Sequence, residues 1–253
     1  MNLYFKELGE GTPLVILHGF LGTGDNWYTL GKRFSEHFHV YIIDQRNHGN
    51  SPHSDEFGYQ EMADDLVEFF HEHHITSAHI IGHSMGGKVA MLFAMQNPLK
   101  VEKLIVADIA PRYYPPHHQD ILDGLNGLDL KKLTSRQDAD DQLAKKIDDF
   151  GVRQFLLKNL NRSSEGFSWK MNLPVLIREI EKVGVEIGKG VVYEGPTLFI
   201  KGGKSRYIRA DDHSDIEAKF PKSQHKEIED TGHWLHAEKP EIFYDLLMEF
   251  LEH

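Results

Sequence analysis

Gly82-His83-Ser84-Met85-Gly86 sets a serine between two glycines, the Gly-x-Ser-x-Gly spacing that can present a nucleophilic hydroxyl. The flanking residues supply the context this spacing needs. Ala78-His79-Ile80-Ile81 is a short apolar run of strand type, and Gly87 through Met95 reads as a helix. A serine at such a strand–turn–helix junction is aimed out of the sheet, and the glycines leave room where the turn packs against neighbouring strands. The helix N-terminus just behind Ser84 favours negative charge in front of it. The plain alternative is a glycine-rich turn with an ordinary serine. The strand before it and the helix after it argue for the nucleophile.

A serine hydroxyl is a weak nucleophile until a base takes its proton, and a histidine oriented by an acid is the usual base. In a doubly wound hydrolase the chain order is Ser, acid, His, so the histidine belongs in the loop after the last strand. Thr231-Gly232-His233-Trp234 occupies that place, between a strand near 224–229 and a final helix near 240–250. His233 is the expected base, with Gly232 allowing a close approach to the serine, and His236 is the fallback. The acid is less sharply marked. Its frequent place is a Gly-x-x-Asp turn after the strand Leu198-Phe199-Ile200, but here that turn reads Gly202-Gly203-Lys204-Ser205. Serine cannot be the charged partner of an imidazolium. Asp108 ends the run Leu104-Ile105-Val106-Ala107, the first strand after the nucleophile helix, and is the preferred acid. Asp211 and Asp212 are alternatives, although the start of a helix there gives them a plain N-cap role. Asp230 is a fourth option.

Acyl transfer also needs donors for the oxyanion. The backbone N–H of Met85, next to the nucleophile, is one. The other is assigned to the N–H of Phe20 in Leu17-His18-Gly19-Phe20-Leu21-Gly22, a turn leaving the first core strand. His18 then braces that loop. Asp44 in Asp44-Gln45-Arg46-Asn47-His48-Gly49-Asn50-Ser51 precedes the nucleophile in chain order, so bracing is its expected role too. Arg46 and His48 are cationic candidates for an anionic group, the weaker of their two readings. Leu21, Trp169 and Tyr207 are nominated for the substrate pocket. Phe155, Leu156, Phe167 and Trp169 also suit a small hydrophobic core of their own, which is the stronger expectation for each.

The elements that would position these residues alternate along the chain. Leu14–Leu17, Val40–Ile43, Ile80-Ile81, Leu104–Ala107 and Leu198–Ile200 are apolar runs ending at turn residues, as in strands buried on both faces of a parallel sheet. Met1–Lys6 also reads as a strand. Amphipathic stretches near 25–37, 59–73 and 85–96 lie between them. This order implies an α/β class, a doubly wound and mostly parallel sheet with helices on both faces. From Pro111 to about Gly190 the rhythm breaks: no strong strand signal appears, and Leu143–Ile147, Phe155–Leu160 and Leu173–Val183 look helical. The expected organisation is a core of residues 1–110 and 191–253 with a helical cap at 111–190. Ligands of open α/β sheets bind beyond the carboxyl ends of the strands, where such a lid would wall the site and exclude water.

Bulk properties narrow the classes further. The chain has 253 residues, 40% hydrophobic, enough for one large α/β domain. No apolar run approaches the roughly 20 residues that span a bilayer, and the N-terminus lacks a signal-peptide core. A net charge of −11 argues against broad nucleic-acid or anionic-membrane binding, while leaving room for a local basic pocket. There is no cysteine, hence no disulfide framework and no thiolate chemistry. These features fit a cytoplasmic protein. Among the 17 histidines, His71-Glu72-His73-His74 lacks the His-Glu-x-x-His spacing of a zinc site and reads as a solvated helix end. His117-His118, in a proline-rich loop, is read the same way. No metal or cofactor is called for. The terminal Leu251-Glu252-His253 resembles a tag remnant and carries no argument.

These motifs together resemble the α/β-hydrolase superfamily and, more narrowly, small bacterial esterases of the YbfF type and their mitochondrial abhydrolase relatives. The resemblance rests on His18–Gly22, Asp44–Ser51, Gly82–Lys88, Ala107–Pro111, Gly202–Tyr207 and Gly232–Pro240, which span nearly the whole chain. It implies ester or thioester hydrolysis, with acyl-CoA among the substrates, and an acid after the strand that follows the nucleophile helix, which supports Asp108. The expectation is therefore a cofactor-independent serine esterase acting on a small-molecule acyl ester or thioester through Ser84, His233 and Asp108. The alternatives are carbon–carbon bond hydrolysis or lysis on the same triad, and a non-enzymatic ligand receptor on the same scaffold. Epoxide hydrolase and dehalogenase chemistry use an aspartate nucleophile, and this elbow carries serine.

Overall fold

The computed structural model describes residues 1–116 and 118–252. His117, one half of the paired histidines above, and the terminal His253 lie outside the described residues. Strand and helix alternate first as β1 (Phe5–Leu8), β2 (Pro13–Leu17), α1 (Tyr28–Phe34), β3 (His39–Ile43), α2 (Tyr59–Glu72), β4 (Ala78–His83), α3 (Met85–Gln96) and β5 (Val101–Ala107). There follow α4 (Gln119–Asn126), α5 (Arg136–Leu143), α6 (Phe150–Leu157), β6 (Leu160–Ser163), β7 (Gly166–Trp169), α7 (Leu173–Arg178) and α8 (Ile180–Val183). The chain then returns through β8 (Thr197–Gly202), α9 (His213–Lys219), β9 (Ser223–Ile228), α10 (Leu235–Glu238) and α11 (Pro240–Glu252).

Seven strands form one sheet in the order β1-β3-β2-β4-β5-β8-β9. Only β1 runs antiparallel to its neighbour. This is the α/β-hydrolase fold, a doubly wound and mostly parallel sheet. Each central strand buries both faces. In β2, Val15 and Leu17 join the core under α2 and α3, while Leu14 and Ile16 join the core under α1 and α11. Leu104 and Val106 of β5 divide from Ile105 and Ala107 in the same way. Alternation with two apolar faces reads in sequence as an unbroken hydrophobic run.

Parallel register brings the carboxyl ends of the strands to one edge. Leu17 lies opposite Gly82, His83 opposite Ala107, Ala107 opposite Ile200, and Gly202 opposite Ile228. The residues that follow these ends are His18–Phe20, Ser84, Asp108, Gly203–Ser205 and Thr231–His233. All the nominated chemistry therefore emerges at a single edge.

Three local expectations change. Between β5 and β8 the chain is not purely helical, because β6 and β7 pair as an antiparallel hairpin. Four-residue strands are too short to leave a strong periodic signal; the turn is Ser164-Glu165, and Gly166, at φ 115°, opens β7 opposite Ser163. Helix α5 ends at Leu143, and Leu143–Ile147 is a turn in which the Ile147 N–H donates to the Leu143 carbonyl. The first strand begins at Phe5 rather than at Met1. No helix among the described residues is long and apolar enough to cross a membrane.

Candidate active site

Ser84 sits at the junction of β4 and α3 with φ 52° and ψ −117°, a conformation an L-residue rarely adopts. Two hydrogen bonds hold it: the Ser84 N–H donates to Ala107 O at 3.0 Å, and Ser84 O accepts from the Lys88 N–H at 3.1 Å. The turn closes only because its glycines are bare. A Cβ at Gly82 would lie 2.3 Å from Gly86 O, and one at Gly86 would lie 2.4 Å from Leu17 O and 2.6 Å from His18 O.

Asp108, also at positive φ (53°), follows β5, the strand beside that of Ser84. Its carboxylate is fully buried. Oδ1 accepts from the Gly202 N–H at 3.1 Å, and Oδ2 accepts from the Ser205 hydroxyl at 2.5 Å. His233 Nδ1 lies 2.7 Å from the same Oδ2. Burial pushes the Asp108 carboxyl up to about 6, against the opposing pull of the Ser205 and Gly202 donors.

The His233 loop is fixed from several sides. The Thr231 hydroxyl donates to Ile228 O at 2.7 Å, and the Gly232 N–H donates to Glu238 Oε2 at 2.9 Å. His83 Nε2 donates to the His233 carbonyl at 2.8 Å. Burial drives the His83 imidazole down to about 3, so this neighbour of Ser84 stays neutral. The Tyr207 ring stacks on the His233 imidazole, with centroids 3.9 Å apart and planes 17° apart. The tight backbone approach expected at Gly232 falls instead at Gly202, where a Cβ would lie 2.2 Å from Gly232 O.

Ser84 and His233 line one cavity of about 210 Å³. Phe20, Leu21 and Tyr207 are in its wall, together with Phe155, Leu156 and Trp234. Met85 faces a smaller pocket that also reaches Ser84 and Phe20. Trp169 is not in the wall of either space; it lies on β7, opposite Leu160, and packs against the core. Its alternating hairpin strand turns it away. Conversely, Phe155 and Leu156, expected to serve only a local core, reach the cavity.

The bracing residues are committed elsewhere. His18 Nε2 accepts from the Gln45 N–H at 3.1 Å, and burial lowers this imidazole to about 4. Asp44 accepts from the N–H groups of Gly24 (2.6 Å) and Asn50 (2.8 Å). Arg46 forks onto Asp65 at 2.6 and 2.8 Å, and His48 Nε2 accepts from the Leu21 N–H at 3.2 Å. These contacts occupy Arg46 and His48, which removes the anion-binding reading. His236 is buried against Trp27, with ring centroids 4.2 Å apart, and lies outside the cavity of Ser84. Asp212 accepts from the Arg209 N–H at 2.8 Å and pairs with Arg112, Asp211 is exposed at the helix start, and Asp230 pairs with Lys204. His73 packs its ring against Phe5 and Phe69 at the end of α2.

Sequence reasoning missed three residues. Ser205 was read as the loss of an acid, whereas its hydroxyl donates to the Asp108 carboxylate. His83 was only the variable residue of the elbow. Lys88 is completely buried, and the signal for it was a single cation inside the apolar stretch Gly87–Met95.

The sequence profile described as alpha/beta hydrolase fold matches residues 12–171. The chain is similar to the sn-1-specific diacylglycerol lipase ABHD11 of Danio rerio, at 38% identity over 98% of this chain and 81% of that one. It is also similar to esterase YbfF of Escherichia coli K12, at 34% identity over 96% of this chain and 94% of that one. Among solved structures, a marine microorganism esterase superposes with a TM-score of 0.95 at 42% identity, covering 98% of each chain. With matches of this length and identity joined to a serine elbow at the carboxyl edge of the sheet, the chain belongs to the α/β-hydrolase fold family, in the branch that holds these esterases.

Proposed function

We propose that this protein is a serine ester hydrolase in which Ser84 is the nucleophile, His233 the base and Asp108 the orienting acid. The observation that carries this reading is the 2.7 Å contact of His233 Nδ1 with Asp108 Oδ2, on a histidine that shares a cavity wall with Ser84. With Nδ1–H given to Asp108, Nε2 is the nitrogen that can take a proton. Ser84 Oγ, losing its proton to Nε2, adds to the acyl carbonyl. The backbone N–H groups of Phe20 and Met85 receive the oxyanion. The tetrahedral intermediate expels the alcohol, which takes the proton from His233 and leaves an acyl-serine ester. Water, deprotonated by the same nitrogen, then releases the carboxylic acid and restores Ser84. Asp108 stays ionised and stabilises the imidazolium.

Residues 111–190 act as a lid in this reading. Phe155 and Leu156 reach the cavity from that segment, and the Asn159 side-chain amide donates to Leu21 O at 2.8 Å beside the oxyanion loop. Among the described residues, the cavity wall that holds Ser84 and His233 contains no lysine or arginine, which favours ester cleavage over the carbon–carbon alternative, for which a cationic pocket is expected. Thioesters of a phosphate-bearing thiol such as coenzyme A are the second substrate class. Arg206 and Arg209, with Arg112 and Lys204 beside them in ion pairs to Asp212 and Asp230, line a groove of about 450 Å³ that reaches Tyr207 and His233, and it would suit those phosphates. A cytoplasmic setting suits a chain with no cysteine.

The test is turnover of p-nitrophenyl acetate by the Ser84→Ala and His233→Ala variants, with fluorophosphonate labelling alongside. Loss of either group is expected to lower kcat by roughly 10⁴-fold or more, and labelling should disappear with Ser84. Full turnover by Ser84→Ala would sink the assignment. A wild-type protein that takes up no fluorophosphonate would point to the receptor alternative.

A further inference from the structure

The space around Ser84 is divided unevenly. On the Met85 side is a pocket of about 20 Å³ bounded by Tyr59, Ile109, Tyr114, Ile180, Val183 and Gly184. On the His233 side is the cavity of about 210 Å³. Chemistry assigns the two lobes. His233 must reach the leaving atom to protonate it, so the alcohol or thiol faces the large lobe. The acyl chain points away from His233, and with its oxygen at the Phe20 and Met85 N–H groups it enters the small one. A space that size has room for little more than one water-sized group, given the ~10–15 Å³ that a single water needs.

The wall of the small lobe is held by polar groups that have no part in the chemistry above. The Tyr59 hydroxyl donates to Val183 O at 2.7 Å. The Tyr114 hydroxyl donates to Tyr207 O at 2.5 Å and accepts from the Ala110 N–H at 2.8 Å. Lys88 lies one turn beyond Ser84 on α3, and its ammonium donates to the carbonyls of Arg112 (2.9 Å), Gly184 (3.2 Å) and Val185 (2.5 Å). It also lies 4.8 Å from the centroid of the Tyr114 ring. Arg112 is on the chain entering the lid segment; Gly184 and Val185 are on the chain leaving it. The two crossings are pressed together, since a Cβ at Gly184 would lie 1.9 Å from Tyr114 O. A single buried cation therefore ties both crossings to the helix that carries the nucleophile. Burial lowers its pKa to about 7, while its three carbonyl acceptors favour the ammonium form.

We propose that Lys88 is a positioning residue which, with Tyr59 and Tyr114, holds the acyl lobe at a size for short acyl groups, so that the bulk of the substrate is carried by its leaving group. This rests on Ser84 as nucleophile and His233 as base. An acetyl-sized acyl group fits, because each extra methylene in an apolar pocket of this size costs about tenfold or more.

The experiment measures kcat/KM on p-nitrophenyl acetate, butanoate, hexanoate and octanoate, and on methyl and 2-naphthyl acetate. The wild type is expected to lose at least about tenfold from butanoate to octanoate, and to favour naphthyl over methyl acetate. Val183→Ala and Lys88→Met are each expected to raise the octanoate-to-acetate ratio about tenfold. A merely structural role for Lys88 would lower turnover of both esters together and leave that ratio alone. Should Lys88→Met not fold, Val183→Ala tests the lobe and Lys88→Arg, which keeps the charge but changes the donor geometry, tests the clamp by the same ratio. Octanoate turned over as well as acetate by the wild type, or ratios unmoved by these substitutions, would overturn the proposal. Acetate turnover surviving in Ser84→Ala would instead overturn the triad on which it rests.

Discussion

Ser205 and His233 meet on a single oxygen of Asp108: the serine hydroxyl donates to Oδ2 at 2.5 Å, and the imidazole Nδ1 lies 2.7 Å from it. Ser205 comes after β8, at the place where an acid was sought, and Asp108 comes after β5. Because β5 and β8 are adjacent parallel strands with Ala107 opposite Ile200, a carboxylate on one reaches the position that a carboxylate on the other would occupy. The serine is thus a donor to the carboxylate, holding one of its lone pairs while His233 takes another.

That donor has a measurable consequence. Burial raises Asp108 from 3.8 to about 6, and the Ser205 hydroxyl acts against this by favouring the ionised form. A raised carboxyl is protonated below its folded value and ionised above it, so activity should fall as pH drops through about 6. Ser205→Ala removes a donor from the carboxylate, so that fall should move to higher pH. The pH profile of kcat/KM on p-nitrophenyl acetate reads this directly, and a midpoint that stayed or moved down would contradict it.

Gly86→Ala tests the geometry of the elbow. Its methyl group would meet the carbonyls of Leu17 and His18 at 2.4 and 2.6 Å, and backbone atoms cannot swing aside as a side chain does. The strain of such overpacking is about 1–3 kcal/mol, and a displaced nucleophile loses on the order of 10²-fold in turnover. Thermal denaturation and kcat should fall together. A variant with wild-type kcat would show that the turn tolerates a side chain.

Arg46 and Asp65 form a buried fork, 7% and 3% exposed, that anchors the loop after β3 to α2. Arg46→Met leaves a buried carboxylate without its main partner and should cost about 3–5 kcal/mol. Replacing both residues, Arg46→Met with Asp65→Leu, should recover much of that loss. Urea denaturation of the three proteins distinguishes a structural fork from an anion site, which would show in KM and leave the midpoint unchanged.

What the sequence determined by itself was local or ordered along the chain. The elbow needed only neighbours: two glycines, a strand before and a helix after. The central strands announced themselves because both of their faces are buried, and His233 followed from the order of elements. Asp108 was reached by eliminating Ser205 from the usual place and by family resemblance. What only tertiary structure decided depends on register and on approach across strands. The proximity of Asp108 to His233 is set by pairing between β5, β8 and β9, which no local pattern encodes. The hairpin β6–β7 was too short to signal itself, and Trp169 sits on it, away from the cavity, while Phe155 and Leu156 face inward from α6. Lys88 is the sharpest case. A lysine in an apolar helix is an anomaly in sequence, and only the fold brings it the three carbonyls, contributed by both ends of the segment between β5 and β8, that make its burial tolerable.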